Sequence, residues 1–123
     1  MIAEARPYDF EAIVVGGGPA GATAAADLAA SGRRVLLVDR ADRIKPCGGA
    51  IPPRLLADFD VPDSLLTARI SAADIVAPSG KRVDMRVQGG FVGMVDRDRF
   101  DPWLRRRAEA AGAEFATGRV VDV

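Results

Sequence analysis

FEAIVVGGGPAGATAAADLAASGRRVLLVD, residues 10–39, changes its periodicity twice. From Phe10 to Val15 it is apolar and β-branched, the pattern of a buried parallel strand. It runs into Gly16-Gly17-Gly18-Pro19-Ala20-Gly21 and then into the small helix formers Ala22 to Ala30, closed by Ser31-Gly32. Pro19 suits a first-turn helical position, where its missing N–H costs nothing. Arg34 to Asp39 reads as a second buried strand. Strand, helix and strand in this order form a β-α-β unit, which is right-handed by default and predicts an α/β domain on a parallel sheet.

Gly16, Gly18 and Gly21 fit G-x-G-x-x-G immediately after a strand and at the opening of a helix, which is the context the motif needs. The first glycine permits the tight turn and the second lets a pyrophosphate approach the backbone. The third allows the helix to pack closely on the strand, and the helix N-terminus supplies N–H groups and a positive dipole. Asp39 ends the second strand 18 positions after Gly21, where a carboxylate can bind a ribose hydroxyl pair. An acid there disfavours a 2′-phosphate, so NADP does not suit this site. The motif alone serves FAD and NAD equally well.

After the second strand, Arg40 to Ile51 reads as a loop punctuated by glycine and proline. It holds the chain's one cysteine, Cys47, between Pro46 and Gly48-Gly49. Pro52 to Phe59 reads as a short helix, and Val61 to Leu66 as turn and irregular helix. Asp74 to Ala77 and Arg82 to Val87 flank Pro78-Ser79-Gly80-Lys81 and predict a β-hairpin. Gly90 to Val95 reads as extended.

A helix follows, with Phe100, Trp103, Leu104, Arg107, Ala108 and Ala111 at helical spacing. Pro102 favours Asp101 as its N-cap, while Asp96 would cap an earlier first turn. Trp103, Leu104 and Ala108 define its expected buried stripe and Arg105-Arg106-Arg107 its solvated face. Gly112 ends it. Glu114 to Val123 reads as a strand, with Val120, Val121 and Val123 as core positions, and a chain stopping inside such a strand is expected to be a fragment.

The bulk composition narrows the chemistry. The chain has 123 residues, a size that suggests one domain, with 17 basic and 17 acidic side chains. That balance offers no basic field for nucleic acid. Hydrophobic residues make up 49%, yet no apolar run approaches the roughly 20 residues a membrane helix needs. Met1 to Glu11 lacks the apolar core of a signal peptide, so the expected location is cytoplasmic, with room for peripheral membrane contact. There is no histidine, which excludes Ser-His-Asp and Cys-His nucleophilic machinery as usually built. One cysteine without histidine leaves neither an intrachain disulfide nor an ordinary zinc site, and no metal is expected. Hard chemistry would therefore fall to a borrowed cofactor.

GGGPAGATAAADLAASGRRVLLVDR, then KPCGGAIP (residues 45–52) with FDVP (59–62), then GMVDRDRFDPWLRRRAEAAGAEF (93–115) together resemble the geranylgeranyl reductase family. Its members are similar in fold to the p-hydroxybenzoate hydroxylase group. KPCGGAIP with FDVP is the specific part, since the glycine motif and the later R-x-x-F-D-x-x-L are shared more widely. The resemblance implies a Rossmann-like FAD-binding domain of which residues 1–123 are the N-terminal part. The rest of that domain, its second flavin motif and the substrate-binding domain would lie beyond Val123.

It also implies roles. Gly16, Gly17, Gly18, Pro19, Ala20 and Gly21 would hold the FAD pyrophosphate, with Asp39 and Arg40 at the adenosine ribose. Gly48, Gly49 and Ala50 would lie along the flavin, and Arg97 would reach the FAD diphosphate or ribitol. The implied reaction hydrogenates the double bonds of a geranylgeranyl chain, as the diphosphate or a (bacterio)chlorophyll ester, in photosynthetic pigment synthesis. NADPH or a protein would regenerate the reduced FAD. Hydride transfer to an unactivated alkene needs a well-placed proton donor, and Cys47 is one of few neutral acids present. It would deliver that proton or shape the alkene pocket; the plainer alternative is a space-filling cysteine. Arg97 has a plain alternative too, as a surface residue opening a helix. A hydroxylase-type flavin monooxygenase, or a partial nucleotide-binding module without activity, are the competing readings of the chain.

Overall fold

The computed structural model describes residues 9–40, 42 and 44–123. Most of the stretch read for a signal sequence, residues 1–8, lies outside them. The elements are β1 (Ala12–Val15), α1 (Pro19–Ala30), β2 (Val35–Asp39), β3 (Ala50–Ile51) and α2 (Pro53–Asp58). A 3-10 turn (Asp63–Leu65) leads to β4 (Leu66–Ile70), β5 (Ala72–Val76), β6 (Arg82–Arg86), β7 (Val92–Val95), α3 (Arg97–Ala110) and β8 (Glu114–Thr117). They fall into two compact units, one from Met1–Ile44 with Asp101–Val123, the other from Lys45–Phe100.

The first unit carries the expected β-α-β start. Its sheet is fully parallel, in the order β1-β2-β8. β1 pairs with β2 from Ala12 opposite Val35 to Val15 opposite Val38, and β2 pairs with β8 from Leu36 opposite Glu114 to Asp39 opposite Thr117. Pro19 opens α1, as its fixed φ predicts. The helix buries Ala22, Ala25, Ala26 and Ala29, spaced so that one face carries nothing larger than a methyl group. That face lets the helix axis come close to the sheet. Val35 and Leu37 on β2 are fully buried, each worth roughly 1.5–3 kcal/mol of apolar transfer.

The seam between α1 and β1 is the tightest point. Gly16 turns the chain at φ +104°, and a Cβ at Gly21 would sit 1.7 Å from the Gly16 carbonyl oxygen. It would also lie 3.4 Å from Val14 Cγ1, which places α1 over the face of β1 that carries Val14. Ile13 and Val15 alternate to the other face and are each 60% exposed. The expectation of a buried strand therefore holds for only one face of β1.

The second unit is antiparallel, with β7 flanked by β3 and β4. The expected hairpin is present, with Ile75 opposite Val83 and the tip closed by Gly80 N–H to the Ala77 carbonyl at 2.8 Å. Two strands depart from the expectation. Residues 50–51, read as loop, form β3, and the irregular stretch ends in an unforeseen β4. β4 shows no apolar alternation and its last four residues are exposed, so pairing with β7 creates it rather than its own pattern. A register shift between Leu66 and Ala68 interrupts that pairing.

Of the two N-caps the sequence offers for α3, the structure takes Asp96: α3 starts at Arg97, the Asp96 carbonyl accepts the N–H groups of Arg99 and Phe100, and Pro102 lies inside the helix. One further reading is corrected beyond Gly112. The strand that resumes after Gly112 stops at Thr117. Beyond it Val120, Val121 and Val123 are 39%, 85% and 115% exposed, because residues past Gly118 have no ladder partner among the described elements. No helix among the described residues is long and apolar enough to cross a membrane.

Gly21→Ala should destabilise the protein by at least about 3 kcal/mol, since its methyl group would meet backbone that cannot yield. Chemical denaturation with an unchanged m-value would show this; a loss below about 1 kcal/mol would mean the seam can open.

Candidate functional site

The glycine loop leads directly into the N-terminus of α1. Gly18 is the N-cap of α1 and makes no side-chain cap bond, and the first helical turn carries no acidic residue. Ala20 and Gly21 place their N–H groups ahead of the first intrahelical bond, which Ala22 donates to the Gly18 carbonyl at 2.9 Å, and no first-turn carboxylate competes for them, while the helix dipole adds positive potential.

Asp39 closes the site from the end of β2. Its Oδ2 accepts the Gly17 N–H at 2.9 Å, and its Oδ1 accepts the Arg40 N–H at 2.7 Å. Arg105 Nη1 stands 3.2 Å from the same Oδ2. A Cβ on Gly17 would lie 2.9 Å from Asp39 Oδ2 and 3.0 Å from Arg105 Cδ. Gly17 is a glycine because the carboxylate and the guanidinium stem occupy the space a side chain would need. Arg40 itself is exposed and pairs with Asp42 at 3.4 Å.

Arg105 is the residue the sequence reading missed. It was grouped with Arg106 and Arg107 on the solvated face, yet its side chain is only 14% exposed and its guanidinium lies 5.5 Å from the Phe115 ring centroid. Arg106 and Arg107 are exposed as expected. The buried positions of α3 are Phe100, Leu104 and Ala108; Trp103 is only half-buried, with Arg107 over its ring at 5.8 Å. The available signal was phase: Arg105 follows Leu104 and precedes Ala108 by three positions, at the edge of the buried stripe.

In the second unit the thiol loop ends on β3, where Ala50 and Ile51 pair with Met94 and Gly93 of β7. Gly49 is the anchor: Val95 donates its N–H to the Gly49 carbonyl at 2.9 Å. A Cβ on Gly49 would fall 2.0 Å from the Val95 oxygen, and its φ is +68°. By contrast, Gly48 faces open space. Pairing with β7 also brings Arg97, two residues after Val95, to Cys47.

Cys47 is exposed, and its sulfur accepts the Gly49 N–H at 3.4 Å. That backbone bond first and the Arg97 hydrogen bond second hold the thiol below its ordinary value; burial opposes them, and the weaker Arg97 and Lys45 charges add to the lowering. The structure therefore gathers Cys47, Gly49 and Arg97 in one unit, and Gly16 to Gly21, Asp39 and Arg105 in the other. Each is described separately.

Fold and glycine loop together define a Rossmann-like dinucleotide-binding unit, and residues 14–61 match the family described as NAD(P)-binding Rossmann-like domain. The particular kinship is narrower. Over 109 residues the chain is 62% identical to geranylgeranyl diphosphate reductase of Rhodobacter capsulatus, covering 89% of this chain and 28% of that protein. It is 44% identical over 112 residues to the chloroplastic geranylgeranyl diphosphate reductase of Oryza sativa, covering 85% of this chain and 24% of that protein. Among solved structures, a geranylgeranyl bacteriochlorophyll reductase-like protein of Thermoplasma acidophilum superposes with a TM-score of 0.75 at 33% identity. That match covers 86% of this chain and 29% of the other. The chain is similar to geranylgeranyl reductases and spans less than a third of the length of these relatives. The resemblance carried by KPCGGAIP is borne out.

The thiol geometry predicts earlier thiolate formation. Alkylation of Cys47 by iodoacetamide should reach half its limiting rate below pH ~8.5, the ordinary thiol value, because thiolate forms earlier. Arg97→Met should move that midpoint upward, while the Gly49 N–H keeps part of the effect. A midpoint unmoved in the variant would remove Arg97 from the thiol's environment.

Proposed function

We propose that the protein to which these residues belong is an FAD-dependent reductase that hydrogenates the double bonds of a geranylgeranyl chain, converting it to phytyl. The observation that carries this reading is the 62% identity to a geranylgeranyl diphosphate reductase over 109 residues, 89% of this chain. In this reading residues 1–123 are the first part of an FAD-binding domain. Gly16, Gly17, Gly18, Pro19, Ala20 and Gly21 hold the pyrophosphate and Asp39 with Arg40 the ribose. Gly48, Gly49, Ala50 and Arg97 serve the flavin. The uncapped, acid-free start of α1 supports the first of these assignments.

The FAD that these residues would hold would supply hydride chemistry, with NADPH or a protein as the reductant. The chain's own contribution is a proton held at the Cys47 sulfur. A thiol shifted downward is a stronger acid, yet only its protonated form donates, so reduction through Cys47 fades as pH rises through its lowered value. The substrate is a prenyl diphosphate or a pigment ester, and its acyclic apolar chain is consistent with a cytoplasmic protein peripheral to a photosynthetic membrane.

The full-length protein incubated with FAD, NADPH or dithionite and a geranylgeranylated substrate should give products gaining two hydrogens per step by mass spectrometry. Hydroxylated product or hydrogen peroxide formation from NADPH and oxygen would point to a monooxygenase and overturn the reading. Cys47→Ala should leave FAD affinity within about two-fold and lower turnover by about 10²-fold, the usual contribution of a positioned proton donor. Full turnover in that variant would remove Cys47 from proton delivery.

A further inference from the structure

Arg105 stands first in a run of three arginines. Its neighbours Arg106 and Arg107 are exposed, while its own side chain is drawn down to 14% exposure. Its Nη1 lies 3.2 Å from Asp39 Oδ2, and its planar group rests against Phe115. That Oδ2 already accepts the Gly17 N–H, and the other oxygen accepts the Arg40 N–H. A carboxylate bonded on both oxygens, with a guanidinium added on one, has no free rotation about its terminal torsion. Backbone donors on two sides and a charged fork on the third fix its plane.

We propose that Arg105 is a positioning residue of the nucleotide site that acts through Asp39 and, with it, decides which adenine nucleotide the site accepts. The proposal rests on the reading of this unit as an FAD site. Arg105 holds the Asp39 carboxylate in the orientation that meets a ribose diol and keeps Gly17 drawn to it. Asp39 in turn masks Arg105. A ribose-binding acid repels a 2′-phosphate, whereas a nearby arginine accommodates one, and this unit carries both groups in contact. Removing the acid uncovers an always-charged, forked donor suited to a phosphate. The same positions thus hold an unphosphorylated-ribose site and, beneath it, a latent 2′-phosphate site.

The test is a double-mutant cycle in the full-length protein, with FAD dissociation constants read from flavin fluorescence. Arg105→Met keeps an apolar stem against Phe115 and removes the charge. It should weaken FAD about ten-fold when Asp39 is present and less than about two-fold in the Asp39→Asn background. Additive losses, or no loss at all, overturn the proposal. If Arg105→Met does not accumulate as folded protein, Arg105→Lys replaces it. The same non-additivity is then expected at about three-fold, because the ammonium keeps the charge without the fork.

A second measurement uses protein stripped of FAD, with 2′,5′-ADP and 5′-ADP as probes in calorimetry. Asp39→Ser should raise the affinity ratio of 2′,5′-ADP to 5′-ADP about ten-fold, and the added Arg105 substitution should abolish the gain. An unchanged ratio, or a gain that survives loss of Arg105, overturns the proposal. Wild-type protein unable to bind FAD would instead overturn the functional reading on which it rests.

Discussion

The start of α1 lies so close to the turn after β1 that no side chain fits between them. A Cβ on Gly21 would stand 1.7 Å from the Gly16 oxygen, deep inside any van der Waals contact. The alanine face of the helix, with Ala22, Ala25, Ala26 and Ala29 buried, continues the same close approach. This seam puts the uncapped amides of the helix at the ends of the parallel strands, where Asp39 also emerges. Once that geometry is set, the Gly17 N–H has its acceptor 22 residues away in the sequence. The placement of these amides is then a consequence of packing.

A different constraint organises the thiol loop. Cys47 lies in a run with little periodicity, and its environment comes from strand pairing two positions later. Gly49 is clamped by the Val95 N–H on one side and leaves no room for a Cβ on the other. The clamp carries the Gly49 amide to the sulfur, and the turn from β7 into α3 carries Arg97 to it. Both groups favour thiolate, so acidity here comes from the backbone hydrogen bond first and from the Arg97 hydrogen bond second.

The β-α-β start was legible because each of its steps is local. Glycine spacing, Pro19 and the two apolar runs act within a few residues of themselves, and their physics does not wait for the rest of the chain. The hairpin was legible for the same reason, through Pro78-Ser79-Gly80-Lys81. β4 was not, because Thr67 to Ile70 have no pattern of their own and become a strand only against β7. Val120, Val121 and Val123 misled in the opposite direction: apolar, β-branched residues read as a core strand, yet no described element offers them a ladder. Trp103 was placed at the core by phase, and the helix turns it only half inward.

By itself the sequence determined the nucleotide-binding start of the fold, the loop that separates this chain from other bearers of the glycine motif, and the carboxylate at the end of β2. These are short-range properties, written as spacing and residue type. The tertiary structure alone decided which of three adjacent arginines is buried, what Asp39 is bonded to, and which charge sits beside Cys47. Arg105 and Asp39 are 66 residues apart, and only the docking of β8 against β2 and the packing of α3 bring them to 3.2 Å. Phase puts the first of the three arginines at the edge of the buried stripe, but whether it turns inward belongs to the surface it meets.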